Sequence, residues 1–577
     1  MVVSASPESE VTLPFIEGGL TLIAVAFSFA WPRFCSTWFT YIENACGQLA
    51  RRRGLTVAAV GLSVLLLRLA ILPLLPIPLP VLPDDFSFLL AGDTFAHGRL
   101  TNPTPAMWVH FESIQIDMKP TYMSMYFPGQ GIALAAGKVL FGHPWYGLLA
   151  ASALMCAAIC WMLQAWLPPA WALLGGMLAV MRLGVFSYWI NTYTGGGLIA
   201  ALGGALVLGA LPRFKKAARL RNSLPMAVGI VLLALTRPYE GMLLCLPVAI
   251  VLGRWFLFAK DRPRAAVLFR SAWAPLALVI AAGVWMGYYD SRAFGSPLTL
   301  PYSINRATYA VTPYYVWQPL RPEPAYRHDE LRRFYHSFEL TIYNDIHSFP
   351  GFFSQSFNKA ITGVLFFSGI ALIPPLFMLR RVILDRRIRF LVLCMAILPA
   401  GMIIEVYLAP HYMAPFTAAF YAIGLQAMRH LWHWSPASQR VGMTIVRLTV
   451  TLCMIMAGLR LFDRPLQMPI HKLPISGWVF WWIGPDHFGT ERAGVESRLE
   501  RIAGGQLAIV RYSLNHDPMN EWVYNAAEID DSKVIWARDM DAAHNLELIH
   551  YYRDRKVWLV QPDEQPATVS LYPMPQH

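Results

Sequence analysis

Apolar positions along the chain gather in long unbroken runs rather than in the two-residue alternation of a half-buried strand. Thr56 to Leu79, Tyr146 to Leu167 and Trp273 to Tyr289 approach or exceed the roughly 20 apolar residues that a helix needs to cross a bilayer core. Read with a hydropathy window of about 19 residues, the pattern predicts about twelve spans. They start near Leu13, Leu55, Trp145, Trp171, Gly195, Leu224, Gly241, Ser271, Lys359, Phe390, Tyr412 and Val441. Such runs recur along the chain, so they are not a cleaved leader. Within "GGGLIAALGGALVLGAL", Gly196, Ala200 and Gly204 fall at four-residue spacing and give a smooth face for close helix packing. No fixed-period repeat is present, and the second half does not resemble the first.

The pattern changes near Asp463. A Pro-containing aromatic linker, "PLQMPIHKLPISGWVFWWIGPD", leads into a polar segment rich in charge. Helices over Thr490 to Ala503 and Asp541 to Tyr552, and strands over Gln506 to Tyr512, Lys533 to Arg538 and Lys556 to Gln561, are predicted there. Their alternation implies a small α/β unit. The division is residues 1–461, a membrane part with outer loops 80–144 and 291–358, and residues 462–577, the linker and this unit.

Composition agrees: of 577 residues 56% are hydrophobic and 14% charged, with mean hydropathy +0.42, which marks an α-helical polytopic membrane protein. The net charge of +12 does not imply nucleic acid, because the basic residues punctuate the gaps between apolar runs. These gaps are Arg51-Arg52-Arg53, Arg213 to Arg221, Arg254 to Arg270, Arg380 to Arg389 and Arg429 to Arg440. Placing all five in the cytoplasm, by the positive-inside rule, puts the N-terminus, both long loops and everything after Leu461 outside. The acidic, Lys-free leader, residues 1–10, agrees. Seven cysteines, in or beside apolar runs, imply no disulfide framework or metal knuckle.

"VLPDDFSFLLAGDTFAHGRL", Val81 to Leu100, leaves the second span and sets Asp84 beside Asp85 at the outer boundary. Pro83 ends the span, one aspartate caps a surface helix over Phe86 to His97, and Gly98 stops it. That accounts for one carboxylate and not for two. Adjacent carboxylates at a low-dielectric boundary repel, so keeping both calls for a cation, a basic partner or a chemical task. The task would be that of a general base taking a proton from an acceptor hydroxyl.

An anionic leaving group would need cations on the same face. Arg182, Arg237, Lys119, Arg292 and Arg306 all map to the outer side or to outer span ends, and Arg237, in the turn "TRPYEG" beside Glu240, is placed best. His97, His110 and Glu112 in the first loop, and His328, Asp329, Glu330 and His336 in the second, lack zinc spacing. They leave room for a divalent metal without implying one, and no cofactor is firmly implied. The second loop is dense in Tyr and Pro, which suits both sugar stacking and the headgroup level. His411 and Tyr412 open a late span from the same side, and Tyr122 and Tyr126 belong to the first loop.

The outward Asp-Asp after an early span, the helix that follows, "YFPGQG", "LFGHPWYG" and the later "APHYMAPFTAAF" together resemble the GT-C membrane glycosyltransferases. Protein O-mannosyltransferases and the aminoarabinose transferases of lipid A are the most alike. The resemblance implies a polyprenyl-phosphate-sugar donor, an exported glycan, lipid or protein acceptor, and an inverting displacement with a first-loop aspartate as base. It places Asp84 or Asp85 as the base, with Asp84 favoured and Asp85 as the neighbour that positions an acceptor or ion, the two not being separable from sequence; Arg237, Lys119 and Arg182 are the candidate donor-phosphate contacts. Tyr122, Tyr126, His411, Tyr412 and Arg306 would line the substrate. Where relatives often carry a lysine before a Pro-Pro pair, this chain has Met125-Tyr126-Phe127-Pro128.

Two other classes compete: a transporter or flippase of a lipid-linked saccharide, for which Arg68 in "LLLRLAIL" argues, and a polysaccharide polymerase or ligase. The asymmetric loops and the outer carboxylate pair favour surface chemistry in the inner membrane. The C-terminal part has no Gly-rich phosphate loop before a helix, so nucleotide binding is not expected.

Overall fold

The structure, a computed structural model, describes residues 12–260, 263–462 and 490–573. The leader and the aromatic linker lie outside the described residues. The chain enters as α1 (Thr12–Ala30), α2 (Ser36–Arg51) and α3 (Arg53–Ala70), then reaches α4 (Pro83–Ala96) and a two-stranded ribbon, β1 (Ile116–Asp117) with β2 (Met123–Ser124). Next come α5 (Pro128–Phe141), α6 (Trp145–Trp166), α7 (Pro169–Ala179), the single turn α8 (Tyr188–Asn191), α9 (Gly197–Lys216), α10 (Leu220–Ala234), α11 (Pro238–Phe258) and α12 (Ala265–Phe294). The second long loop holds α13 (Pro301–Tyr309), α14 (Asp329–Arg332) and α15 (Glu339–His347). The chain returns through α16 (Phe349–Ser368), α17 (Leu379–Leu384), α18 (Arg389–Ile403), α19 (Thr417–Trp432) and α20 (Val441–Phe462).

Among the described residues seven helices are long and apolar enough to cross a membrane: α1, α3, α6, α9, α11, α12 and α20. Three shorter apolar helices, Pro169–Gly184, Leu220–Ala234 and Arg389–Ile403, fall where the sequence predicts further spans. The expected start at Ser271 lies inside α12, which begins at Ala265 and runs for 30 residues. At 1.5 Å per residue that is about 45 Å, longer than a hydrocarbon core of about 30 Å. Its last turns therefore rise into the loops, where Tyr289, Ala293 and Phe294 pack with Ala91 and Met123. Arg68, the residue that argued for transport, is fully buried at the end of α3. It donates to the carbonyls of Leu75 (2.8 Å) and Pro76 (3.0 Å) and lies over the Trp145 ring, so it clamps the turn that follows its own helix.

The C-terminal unit has α21 (Thr490–Glu500), β3 (Gln506–Val510), β4 (Val534–Arg538), α22 (Ala542–Tyr551), β5 (Lys556–Gln561) and β6 (Thr568–Leu571). The sheet order is β4-β3-β5-β6, parallel except for β6, a strand the sequence reading missed. Alternation along the strands gives the sheet two apolar faces. One carries Ala508, Val510, Trp536 and Val560 against Val495 and Leu499 of α21. The other carries Leu507, Ile509, Ile535 and Ala537 and meets Leu90, Phe111, Ile116, Met118 and Tyr122 of the first long loop.

This contact corrects one expectation: α4 is not a surface helix. It starts at Pro83, three residues before the expected Phe86, and is walled on both sides. On one side Gly92 and Gly131 let α4 and α5 approach so closely that a Cβ at either would come within 2.7 Å of Leu134 or Ala91. On the other, Phe86 stacks on Tyr524 (4.6 Å) and Asp93 accepts from the backbone N–H of Ala527 (2.8 Å).

Candidate functional site

The structure separates the two adjacent carboxylates. Asp85 is fully buried at the third position of α4, where its side chain reaches back to the N–H groups of Val81 (3.1 Å) and Leu82 (3.2 Å). Its other oxygen accepts from the Tyr193 N–H (2.9 Å) and the Thr194 hydroxyl (2.6 Å). Four donors leave no free lone pair aimed at a ligand. The reading of Asp85 as a neighbour that positions an acceptor or ion gives way to that of a cap that pins α4 to the 193–194 turn.

Asp84 is partly exposed and accepts from the Tyr126 hydroxyl at 2.5 Å. Burial pushes its carboxyl above the ordinary value, while hydrogen bonds from Tyr126 and Gln115 and the Arg237 charge pull it back. Gln115 holds a left-handed backbone (φ 63°), which few side-chain-bearing residues adopt. It is fixed there by its N–H to the Tyr335 hydroxyl (2.7 Å) and by its carbonyl to Ser87 (2.6 Å). Nothing in the sequence signals this residue.

Tyr126 also lines a cleft with Phe88, Phe127, Gln130, Gly195, Gly196, Thr236, Arg237 and Tyr302. Three helices begin at this cleft. Phe127 is the N-cap of α5, Gly196 that of α9 and Arg237 that of α11. A helix start carries a partial positive charge, roughly half an elementary charge; α5 and α11 open on Pro128 and Pro238, which have no N–H, the Gly129 N–H is taken by the Leu235 carbonyl (2.8 Å), and Glu240 lies in the first turn of α11. The Arg237 guanidinium adds a full charge. It donates to the Gly195 carbonyl (2.9 and 3.2 Å), approaches Glu240 at 3.7 Å and lies 4.5 Å from the Tyr412 ring centroid. Gly195 has φ 95°, and a Cβ there would strike the His411 ring at 2.6 Å. Gln130 donates to the Tyr193 carbonyl (2.8 Å), and its side-chain oxygen is buried without a partner beside Gly196.

The other expected residues fall elsewhere. Lys119 is exposed with its ammonium 4.2 Å from the Trp108 ring centroid, outside the cleft lining, so it does not join Arg237. Arg182, buried, donates to the carbonyls of Leu365 and Phe366 at the end of α16. It packs within the membrane bundle rather than at the cleft. Arg306 is held by both Glu339 oxygens (2.7 and 2.8 Å), an ion pair closed on itself in the second loop. Tyr122 donates to the Asn525 carbonyl (2.8 Å) and belongs to the contact with the C-terminal unit. His411 stands behind Gly195, bonded to the Tyr188 hydroxyl (2.7 Å), while Tyr412 supports Arg237 from the side. Tyr302 and Gln130 line the cleft and were not singled out in the sequence.

Of the histidines and acids considered for a metal, His110, Glu112, His328 and Glu330 serve the joint between the loops and the C-terminal unit, whereas His97 meets Asp93 and His336 approaches Glu323 at 3.5 Å. His328 donates to the Val109 carbonyl (2.7 Å), and burial holds its imidazole down to about 3. Glu112 accepts from the Tyr309 hydroxyl (2.9 Å), and the Arg538 Nε donates to the Glu112 carbonyl (2.6 Å). Among the described residues no group of three or more His, Cys, Asp or Glu is arranged to hold a metal ion.

No family model matches the chain, and no curated protein sequence matches it. Solved structures do. ArnT from Cupriavidus metallidurans in the apo state superposes with a TM-score of 0.50 at 12% identity, over 87% of this chain and 93% of that one. The same protein bound to undecaprenyl phosphate gives 0.46 at 13%, over 88% and 92%. The Archaeoglobus fulgidus oligosaccharyltransferase tethered to an acceptor peptide gives 0.41 at 11%, over 87% and 68%. Over 87% of its length the chain therefore has the fold of ArnT from Cupriavidus metallidurans.

Proposed function

We propose that the protein transfers a sugar from a polyprenyl-phosphate-linked donor to an acceptor hydroxyl on the extracytoplasmic face, with inversion at the anomeric carbon. The observation that carries this reading is one cleft in which Tyr126, bonded to Asp84, faces Arg237 and the starts of α5, α9 and α11. The donor phosphate would sit against the Arg237 guanidinium and the positive start of α9, which favour the charge that grows as the phosphate leaves. Asp84 would take the proton of the acceptor hydroxyl while its oxygen attacks the anomeric carbon. The new carbon–oxygen bond forms as the bond to the phosphate oxygen breaks, and the products are a glycoside and a polyprenyl phosphate.

A carboxyl whose proton affinity is lifted by burial is a better base than a free one, and its partial exposure leaves a route for the acceptor. Undecaprenyl phosphate, which ArnT binds, has the required carrier chemistry. The test is transfer of radiolabelled sugar from a polyprenyl phosphate in reconstituted vesicles. The native chain should form a glycosidic product and Asp84→Asn should not, although it folds. Movement of the lipid with no new glycosidic bond would favour a flippase instead.

A further inference from the structure

Helix α2 has no part in the cleft, and its surface divides into three stripes. One faces the protein: Glu43 receives both Nε and Nη2 of Arg447 at 2.8 Å, Phe39 lies 5.4 Å from the same guanidinium, and Ala50 is buried. A second is polar and exposed, with Thr37, Asn44, Gln48 and Arg51. The third follows i, i+3, i+4, i+7 spacing through Trp38, Tyr41, Ile42 and Ala45, of which Trp38 is 73% and Tyr41 72% exposed.

A helix that crosses a bilayer has no place for a polar stripe along its length, and a helix in water has none for exposed Trp38, Tyr41 and Ile42. The three stripes fit only a helix lying flat at the boundary. The two flanking spans also expose apolar residues, Leu22, Ile23 and Phe29 on α1 and Leu55, Leu62 and Leu66 on α3. Cys35, with φ 46°, turns the chain out of α1 into this direction. Arg33, Arg51, Arg52 and Arg53 are exposed at its two ends.

We infer that α2 is an in-plane anchor that inserts Trp38, Tyr41 and Ile42 among the acyl chains of the cytoplasmic leaflet, with the flanking arginines on anionic lipid headgroups. Trp and Tyr suit the interface, and basic residues are drawn to an anionic surface. The inference rests on the orientation in which the arginine-rich gaps are cytoplasmic and is independent of the proposed chemistry.

The experiment uses the full chain with its native cysteines replaced, in bilayers of phosphatidylglycerol and phosphatidylcholine, with a nitroxide at Trp38→Cys, Ile42→Cys, Thr37→Cys or Asn44→Cys. Positions 38 and 42 should collide several-fold more with oxygen, and less with a water-soluble nickel chelate, than positions 37 and 44. Changing Arg51, Arg52 and Arg53 together to Gln should abolish the dependence of that immersion on phosphatidylglycerol. In the unsubstituted chain, a photoactivatable phosphatidylglycerol should label the peptide containing α2. Equal nickel access at all four positions, spin–spin broadening from a second copy, or no lipid adduct on α2 would each overturn the proposal.

Discussion

The Tyr126 hydroxyl donates to Asp84 Oδ1 at 2.5 Å, and the Tyr126 ring stacks on Phe88 at 4.3 Å. The ring is thus held by packing and the hydroxyl aims at the carboxylate, so the two contributions can be separated. Tyr126→Phe keeps the stack and removes the donor. Burial already raises the proton affinity of Asp84 and this hydrogen bond lowers it, so the variant's carboxyl should titrate at higher pH. With Asp84 as the proposed base, activity would need the deprotonated form, and the acid limb of kcat/KM against pH should move upward, with a loss of about tenfold below it. An unchanged limb would show that Asp84 is not the titrating base.

Asp84 and Asp85 should fail in different ways. Asp84→Asn removes a base from a partly exposed position, and transfer should fall by about 100-fold or more with the unfolding midpoint little changed. Asp85→Asn turns an amide NH₂ toward backbone donors that now meet a carboxylate. The lost buried hydrogen bonds cost about 2–4 kcal/mol, read as a lower midpoint in detergent.

Arg237 should govern the donor more than the acceptor. Arg237→Gln should raise the KM for the lipid-linked donor by about tenfold or more, in line with the loss of a charge-assisted contact of about 1.5–3 kcal/mol. Because it leaves Glu240 buried without its cation, Arg237→Gln with Glu240→Gln should recover stability and not donor affinity. Arg237→Lys keeps the charge and loses the two-point hold on the Gly195 carbonyl, so its donor KM should fall between the two.

Asp117 gives a test by pH. It is 2% exposed in the first loop, accepts from Asn305 at 3.1 Å with one oxygen, and leaves the other without a partner. Burial lifts its carboxyl from the usual 3.8 to about 8. A value raised in the folded state means that the folded chain binds the proton more tightly. The stabilisation is therefore complete below 3.8 and lost as pH rises through about 8. Asp117→Asn should flatten that decline, and its unfolding midpoint at pH 9 should exceed that of the native chain.

The parts legible in the sequence are those set by local pattern. Helices fall at the predicted spans because apolar runs are a property of contiguous residues, and α22 begins beside Asp541 because a cap needs only a short polar side chain at one position. One of two aspartates was expected to cap α4, and the structure assigns that role to Asp85. The cleft was not legible, since its three helix starts come from residues 127, 196 and 237 and meet only through packing. Lys119 and Arg182 were chosen by membrane side. What they touch, an indole ring and the carbonyls ending α16, depends on partners far along the chain. The burial of α4 was missed for the same reason, because its second wall comes from the far end of the polypeptide.

That second wall sets an order of assembly. The aromatic stack on Phe86 and the N–H that meets Asp93 come from Tyr524 and Ala527, made about 430 residues after α4. A nascent chain with every membrane helix inserted still has α4 covered on one flank only. The helix that carries Asp84 gains this second wall only once residues 524–527 have been made, so a chain interrupted before them holds its acid by Tyr126 and the pinned start of α4 alone.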